Sequence, residues 1–181
     1  KNLKLHGKAG ALLAKILLQS WQGDDALLRA VNQFFANEGY KVLPAHYFSK
    51  KLLATKGHIA GPNLDLQALN NLMLEVKRAK ELGKFDIGQA IVVKDGYITA
   101  VEAAEGTDSM LKRIASLPEA LRGGSLIKLA KPQQVMEIDL PTIGPETIAN
   151  CAFSGINTIL VEACRTNVIE INLVKELAKK H

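Results

Sequence analysis

Ile87-Gly88-Gln89-Ala90-Ile91-Val92-Val93-Lys94-Asp95-Gly96-Tyr97-Ile98-Thr99-Ala100-Val101 contains two runs of β-branched and apolar residues on either side of an Asp-Gly pair. Branched side chains suit a pleated, half-buried surface, and Asp-Gly takes the positive φ angles of a tight turn, so the stretch predicts an antiparallel hairpin over 87–93 and 97–101. Before it, Asp65 is placed to cap a helix whose apolar set Leu69, Leu72, Met73, Val76 and Ala79 follows the three-and-four spacing up to Gly83. After it, the polar run 102–108 leads into a helix with Met110, Leu111, Ile114 and Leu117 on one side.

The alternation continues towards the C-terminus. Residues 125–130 read as a strand, Gly144-Pro145 as the N-cap and first position of a helix stopped at Gly155, and 158–162 as another strand. A further strand at 167–171 precedes a last helix from Asn172. Alternating strands and helices with one hairpin predict an α/β fold: a layered strand-helix C-terminal domain.

A smaller part with helices and a short strand is expected ahead of it. Leu12, Leu13, Ile16 and Leu17 recur at helical spacing between Ala11 and Trp21, and Asp24 opens a second helix that stops at Gly39. Tyr40-Lys41-Val42-Leu43 reads as a short strand. Two glycines and a proline between Ala54 and Asn63 interrupt all periodicity. The expected organisation is a first part over 1–56, a linker at 57–64 and a layered domain at 65–181.

Composition removes several function classes. At 181 residues the chain can bury a real core. Its two cysteines, Cys151 and Cys164, stand in apolar segments without metal-ligand spacing, which predicts buried, unbridged thiols and a cytoplasmic setting. A net charge of +5 is spread over scattered lysines, and aromatics make up only 5%, so no basic-aromatic stripe for nucleic acid is present. No run approaches the ~18 apolar residues of a membrane span. His6, His46, His58 and His181 lie outside the polar clusters, leaving a Ser or Cys nucleophile without a visible base. Gly-rich phosphate loops are absent.

Three polar clusters fall at strand ends: 102–108, 128–142 and 162–166. In layered α/β domains the crevice beyond strand ends is the usual ligand site. Carboxylates together with lysines and helix N-termini suit phosphate chemistry, because acids hold a divalent cation or orient water while cations and N–H groups offset charge on phosphate oxygens. Asp139, just ahead of the Gly144-Pro145 helix start, is either such an acid or a simple cap.

Four ordered segments carry a resemblance: Gly88-Gln89-Ala90-Ile91-Val92-Val93 with Asp95-Gly96, the stretch 100–108, Lys128-Leu129-Ala130-Lys131-Pro132, and Asp139-Leu140-Pro141-Thr142-Ile143-Gly144-Pro145. Together they resemble the LpxI family of UDP-2,3-diacylglucosamine pyrophosphatases. Residues 23–29 and 39–43 also resemble the end of that family's first domain, which implies that 1–56 is the C-terminal remnant of an N-terminal α/β domain and 65–181 the catalytic domain. The resemblance implies hydrolysis of UDP-2,3-diacylglucosamine to UMP and 2,3-diacylglucosamine 1-phosphate, with Mg²⁺ or Mn²⁺ as cofactor. It also implies a homodimer at the cytoplasmic face of the inner membrane, with peripheral membrane contact.

On this reading Asp139 is the catalytic acid. Glu102, Glu105, Asp108 and Asp139 form the candidate metal set, and Gln89, Thr107, Lys128, Lys131 and Thr142 the candidate substrate contacts. Three positions depart from the family pattern: Val135 and Glu137, where an acid and an arginine are expected, and Cys164, where glycine is usual. Val135 keeps open an alternative, a non-catalytic module that binds a nucleotide sugar or phosphate through helix ends and Gln89.

Overall fold

The computed structural model describes residues 7, 24–134 and 138–181. The expected helix between Ala11 and Trp21, and the departures at Val135 and Glu137, lie outside the described residues.

The hairpin forms as the turn chemistry requires. Strand β1 (Ala90–Lys94) pairs antiparallel with β2 (Tyr97–Val101), and Asp95 (φ 50°) and Gly96 (φ 79°) make the connection in left-handed conformations. Strand β3 (Gly124–Lys128) runs antiparallel to β1 on its other side, and β5 (Ile156–Val161) runs parallel to β3. The four-stranded order is β2-β1-β3-β5.

Because side chains alternate along a strand, the sheet divides its apolar residues between two faces. Ile91, Val93, Ile127 and Leu129 point to one face, covered by Val76, Ala79 and Leu82 of α3 (Leu66–Gly83). Ala90, Val92, Ala100 and Leu126 point to the other, where Met110, Leu111 and Ile114 of α4 (Gly106–Ala115) and Cys151 of α5 (Pro145–Phe153) complete the core. The result is a helix-sheet-helix layering.

A second, smaller unit lies beside it. Two-residue strands β4 (Thr142–Ile143) and β6 (Asn167–Val168) pair in parallel, and α6 (Ile171–Lys180) packs Val174 onto Ile143, Ile148 and Val168. Ala54 is buried in the same cluster, its N–H donating to Thr166 O (2.8 Å) and its carbonyl accepting from Cys164 N–H (2.9 Å). Ahead of this seam stand α1 (Asp24–Asn37) and the short α2 (Ala45–Phe48).

Several expectations are corrected. Tyr40–Leu43 is not a strand, since no partner edge meets it among the described residues and the chain turns into α2 after Pro44. The strand expected over 167–171 is cut to two residues, because Glu170 (φ 51°) turns the backbone left-handed and α6 starts at Ile171. On α3, Leu69 and Met73 face outward, while Glu75 is buried and paired with Arg78 (3.1 Å). Cys164 is exposed rather than buried.

Candidate active site

The register of the sheet brings three strand ends to one edge. Lys128 lies opposite Ala90 and Val161, and Val101 opposite Ile91, so the residues after β2, β3 and β5 gather beside Gln89, which precedes β1. This is the edge at which the polar clusters were expected to converge.

At its centre is a chain of buried polar groups. The Lys128 ammonium donates to Thr107 Oγ1 (2.6 Å), and the Thr107 hydroxyl donates to Glu102 Oε1 (2.8 Å). Glu102 Oε2 accepts the Gln89 backbone N–H (3.3 Å). Gln89 Oε1 accepts from Gln134 Nε2 (3.2 Å), and Gln134 Oε1 accepts the Lys131 backbone N–H (2.9 Å). Glu102, Thr107, Lys128 and Gln134 are all buried, so each bond satisfies a group that would be costly to leave alone. Burial pulls the Lys128 ammonium below the ordinary lysine range, and the carboxylates of Glu102, Asp108 and Asp139 pull it back.

Asp139 is half-buried in the loop before β4 and acts on Lys128 through its charge. No hydrogen bond or ion pair among the described residues holds its carboxylate. It does not cap α5: the Gly144 N–H there donates to Thr147 Oγ1 (3.3 Å). Asp108, in the first turn of α4, accepts from Asn150 Nδ2 of α5 (3.1 Å) and so ties the two helices together.

Other expected site residues are engaged elsewhere. Glu105 is exposed and paired with Arg113 (2.7 Å), whose hydrogen bond holds its carboxyl below the usual range. Lys131 pairs with Asp86 (2.6 Å). Thr142 donates to Leu140 O (3.1 Å). Among the described residues, no three His, Cys, Asp or Glu side chains are grouped closely enough to hold a metal ion. Thus Gln89, Glu102, Thr107 and Lys128 meet directly, Asp108 and Asp139 stand within electrostatic range, and Glu105 turns away.

Sequence reading missed Gln134, Asn150 and Asp86. The first two are neutral amides in a loop and on a helix, and only the fold reveals what they face. Asp86, two residues before Gly88 in a motif already singled out, carried a signal that could have been followed.

The family model described as the LpxI C-terminal domain matches residues 55–181. The UDP-2,3-diacylglucosamine pyrophosphatase LpxI of Caulobacter vibrioides is 39% identical over 165 residues, which cover 88% of this chain and 59% of that relative. The chain therefore spans less than two thirds of the relative's length.

Proposed function

The chain belongs to the LpxI C-terminal domain family, and on that premise we propose that it carries the catalytic centre of a UDP-2,3-diacylglucosamine pyrophosphatase of lipid A biosynthesis. The reaction adds water to one phosphorus, breaks the bridging P–O bond and releases UMP and 2,3-diacylglucosamine 1-phosphate. One observation carries the reading: Asp139 is a half-buried carboxylate without a structural partner among the described residues, within electrostatic range of a buried ammonium at the convergent edge of the sheet.

Asp139 takes the proton of the attacking water, for which a carboxylate free of hydrogen bonds and ion pairs among the described residues is suited. Lys128 has three N–H donors and spends one on Thr107, so the others are open to a phosphate oxygen. Glu102 has both oxygens engaged and fixes Thr107 and Gln89. Thr142 and Lys131 border the same loop and would add contacts to substrate only by sharing the groups now given to Leu140 O and Asp86.

A four-carboxylate cage does not fit these residues. A divalent ion such as Mg²⁺ or Mn²⁺ fits better where it is bound by one or two carboxylates and by the substrate's own phosphates, with Asp139 and Asp108 as the donors from this chain. When bound, the ion would neutralise charge developing on phosphate oxygens.

The reading includes a homodimer at the cytoplasmic face of a membrane and a division into 1–56, a linker at 57–64 and a catalytic unit at 65–181. No helix among the described residues is long and apolar enough to cross a bilayer. Hydrolysis of UDP-2,3-diacylglucosamine, with and without Mn²⁺, tests the assignment in wild type and Asp139→Asn. Turnover lost in the mutant with binding and melting temperature retained supports it. Binding without turnover in the wild type would make the chain a nucleotide-sugar-binding module instead.

A further inference from the structure

The turn between α3 and β1 exposes two large apolar side chains at the margin of the candidate site: Phe85 is 74% exposed and Ile87 48%. Asp86, between them, points inward to Lys131, and Gln133 Nε2 donates to Gly83 O (3.2 Å), so this turn is fastened to the loop that follows β3. The other exposed aromatics among the described residues lie elsewhere: Tyr97 at the hairpin turn and Phe153 at the end of α5 stand at the opposite edge of the sheet, and Phe35, Tyr40, Tyr47 and Phe48 belong to α1, α2 and the segment between them.

The helix leading into the turn adds charge of one sign. Lys77, Lys80 and Lys84 recur at three-and-four spacing on the exposed face of the last turns of α3, against one exposed acid, Glu81, which pairs with Lys84 (2.6 Å). An apolar tip beside a basic stripe is the combination that enters the head-group region while its cations meet anionic lipid. An occupant made of protein would have to match the apolar tip and the lysine row together; an anionic bilayer satisfies both without detailed shape.

We infer that Phe85 and Ile87, with Lys77, Lys80 and Lys84, form a rim that docks the protein onto an anionic lipid surface with the site's edge towards the membrane. The inference rests on the proposed reaction, whose diacylated substrate resides in lipid. Docking there shortens the path from bilayer to Lys128 and Asp139.

Sedimentation of the 181-residue chain with phosphatidylcholine vesicles, with and without phosphatidylglycerol, tests it. The wild type binds the anionic vesicles, and 0.5 M salt (about a 3–5 Å screening length) weakens that binding. Phe85→Ser/Ile87→Ser and Lys77→Glu/Lys80→Glu/Lys84→Glu each reduce it about tenfold or more, while Phe153→Ser does not. Failure of the wild type to bind, or undiminished binding by both rim variants, overturns the inference. Loss of self-association in Phe85→Ser/Ile87→Ser, read by light scattering, also overturns it, because a second copy would then be the occupant. Turnover of detergent-dispersed substrate separates the two readings. Rim variants keep it if only docking is affected, whereas a wild type that binds vesicles but never turns over breaks the catalytic reading alone.

Discussion

The two edges of the four-stranded sheet are built by opposite means. At the edge where β3 and β5 begin, the chain closes through backbone: Gly123 N–H donates to Ser154 O (3.0 Å), and Gly124, at φ 90°, lies against the Val93 carbonyl so closely that a Cβ would collide with it. At the edge where β3 and β5 end, charged and polar side chains are drawn inside, with Lys128, Thr107 and Glu102 in one buried chain. Backbone closure specifies the fold, whereas buried charge costs stability and is retained where chemistry needs it.

The largest expected effect lies at the polar edge. Asp139→Asn keeps side-chain shape and removes the charge, so kcat falls by about two to four orders of magnitude, the usual worth of a general base. Melting temperature stays near wild type, because the carboxylate holds no structural hydrogen bond among the described residues. A mutant that melted early yet turned over normally would erase the contrast between the edges. Gly124→Ala should do the reverse. Left-handed strain and the clash with Val93 O together cost about 3 kcal/mol in urea unfolding, with activity per folded molecule unchanged. Unchanged stability would show that the closing edge tolerates rearrangement.

Much of this contrast was legible in the sequence. Asp95-Gly96 announced the hairpin because its turn needs residues that accept positive φ, and the strand-end clusters pointed to one edge because layered folds put ligands there. Asp139 was visible as a candidate but not as an uncommitted one, since only the structure shows Thr147 holding the start of α5 in its place. Tyr40–Leu43 misled because strand propensity means little without a partner edge. Glu75 is buried by its pairing with Arg78, and Leu69 and Met73 are exposed on the outer side of α3, neither of which periodicity can distinguish.

A smaller effect distinguishes the two thiols, one in each kind of environment. Burial, with the Asp108 charge adding to it, pushes the Cys151 thiol up to about 12. The unfolded chain then gives up this proton near pH 8.5 while the folded one keeps it, so stability falls with pH above that point by up to ~1.4 kcal/mol per unit. Lys128 opposes it. Its folded value is lowered, so the unfolded state holds the extra proton below the ordinary lysine value, and stability rises with pH in that window. Urea titrations at pH 7.5 and 10.5 should show Cys151→Ala losing less stability across the interval than wild type. An identical loss would place the Cys151 thiol in contact with water.

The smallest effect sharpens the comparison at the end of β5. Cys164, where the resemblance leads one to expect glycine, has a φ of 61°, a left-handed conformation that glycine adopts without strain. A side chain in the left-handed region costs about 1–2 kcal/mol, whereas glycine gives back about 0.5–1 kcal/mol through its freer unfolded chain. Cys164→Gly should therefore stabilise by roughly 0.5–1 kcal/mol, seen as a higher urea midpoint with an unchanged m-value. The Cys164 N–H bond to Ala54 O is backbone and survives the change. The same variant tests the thiol assignment: with exposed Cys164 gone and Cys151 buried, native protein at pH 8 should take up no iodoacetamide, against one equivalent for wild type. A destabilised Cys164→Gly would mean that the cysteine side chain makes a contact outweighing its backbone strain, and this edge would then depend on side-chain packing as well as on charge.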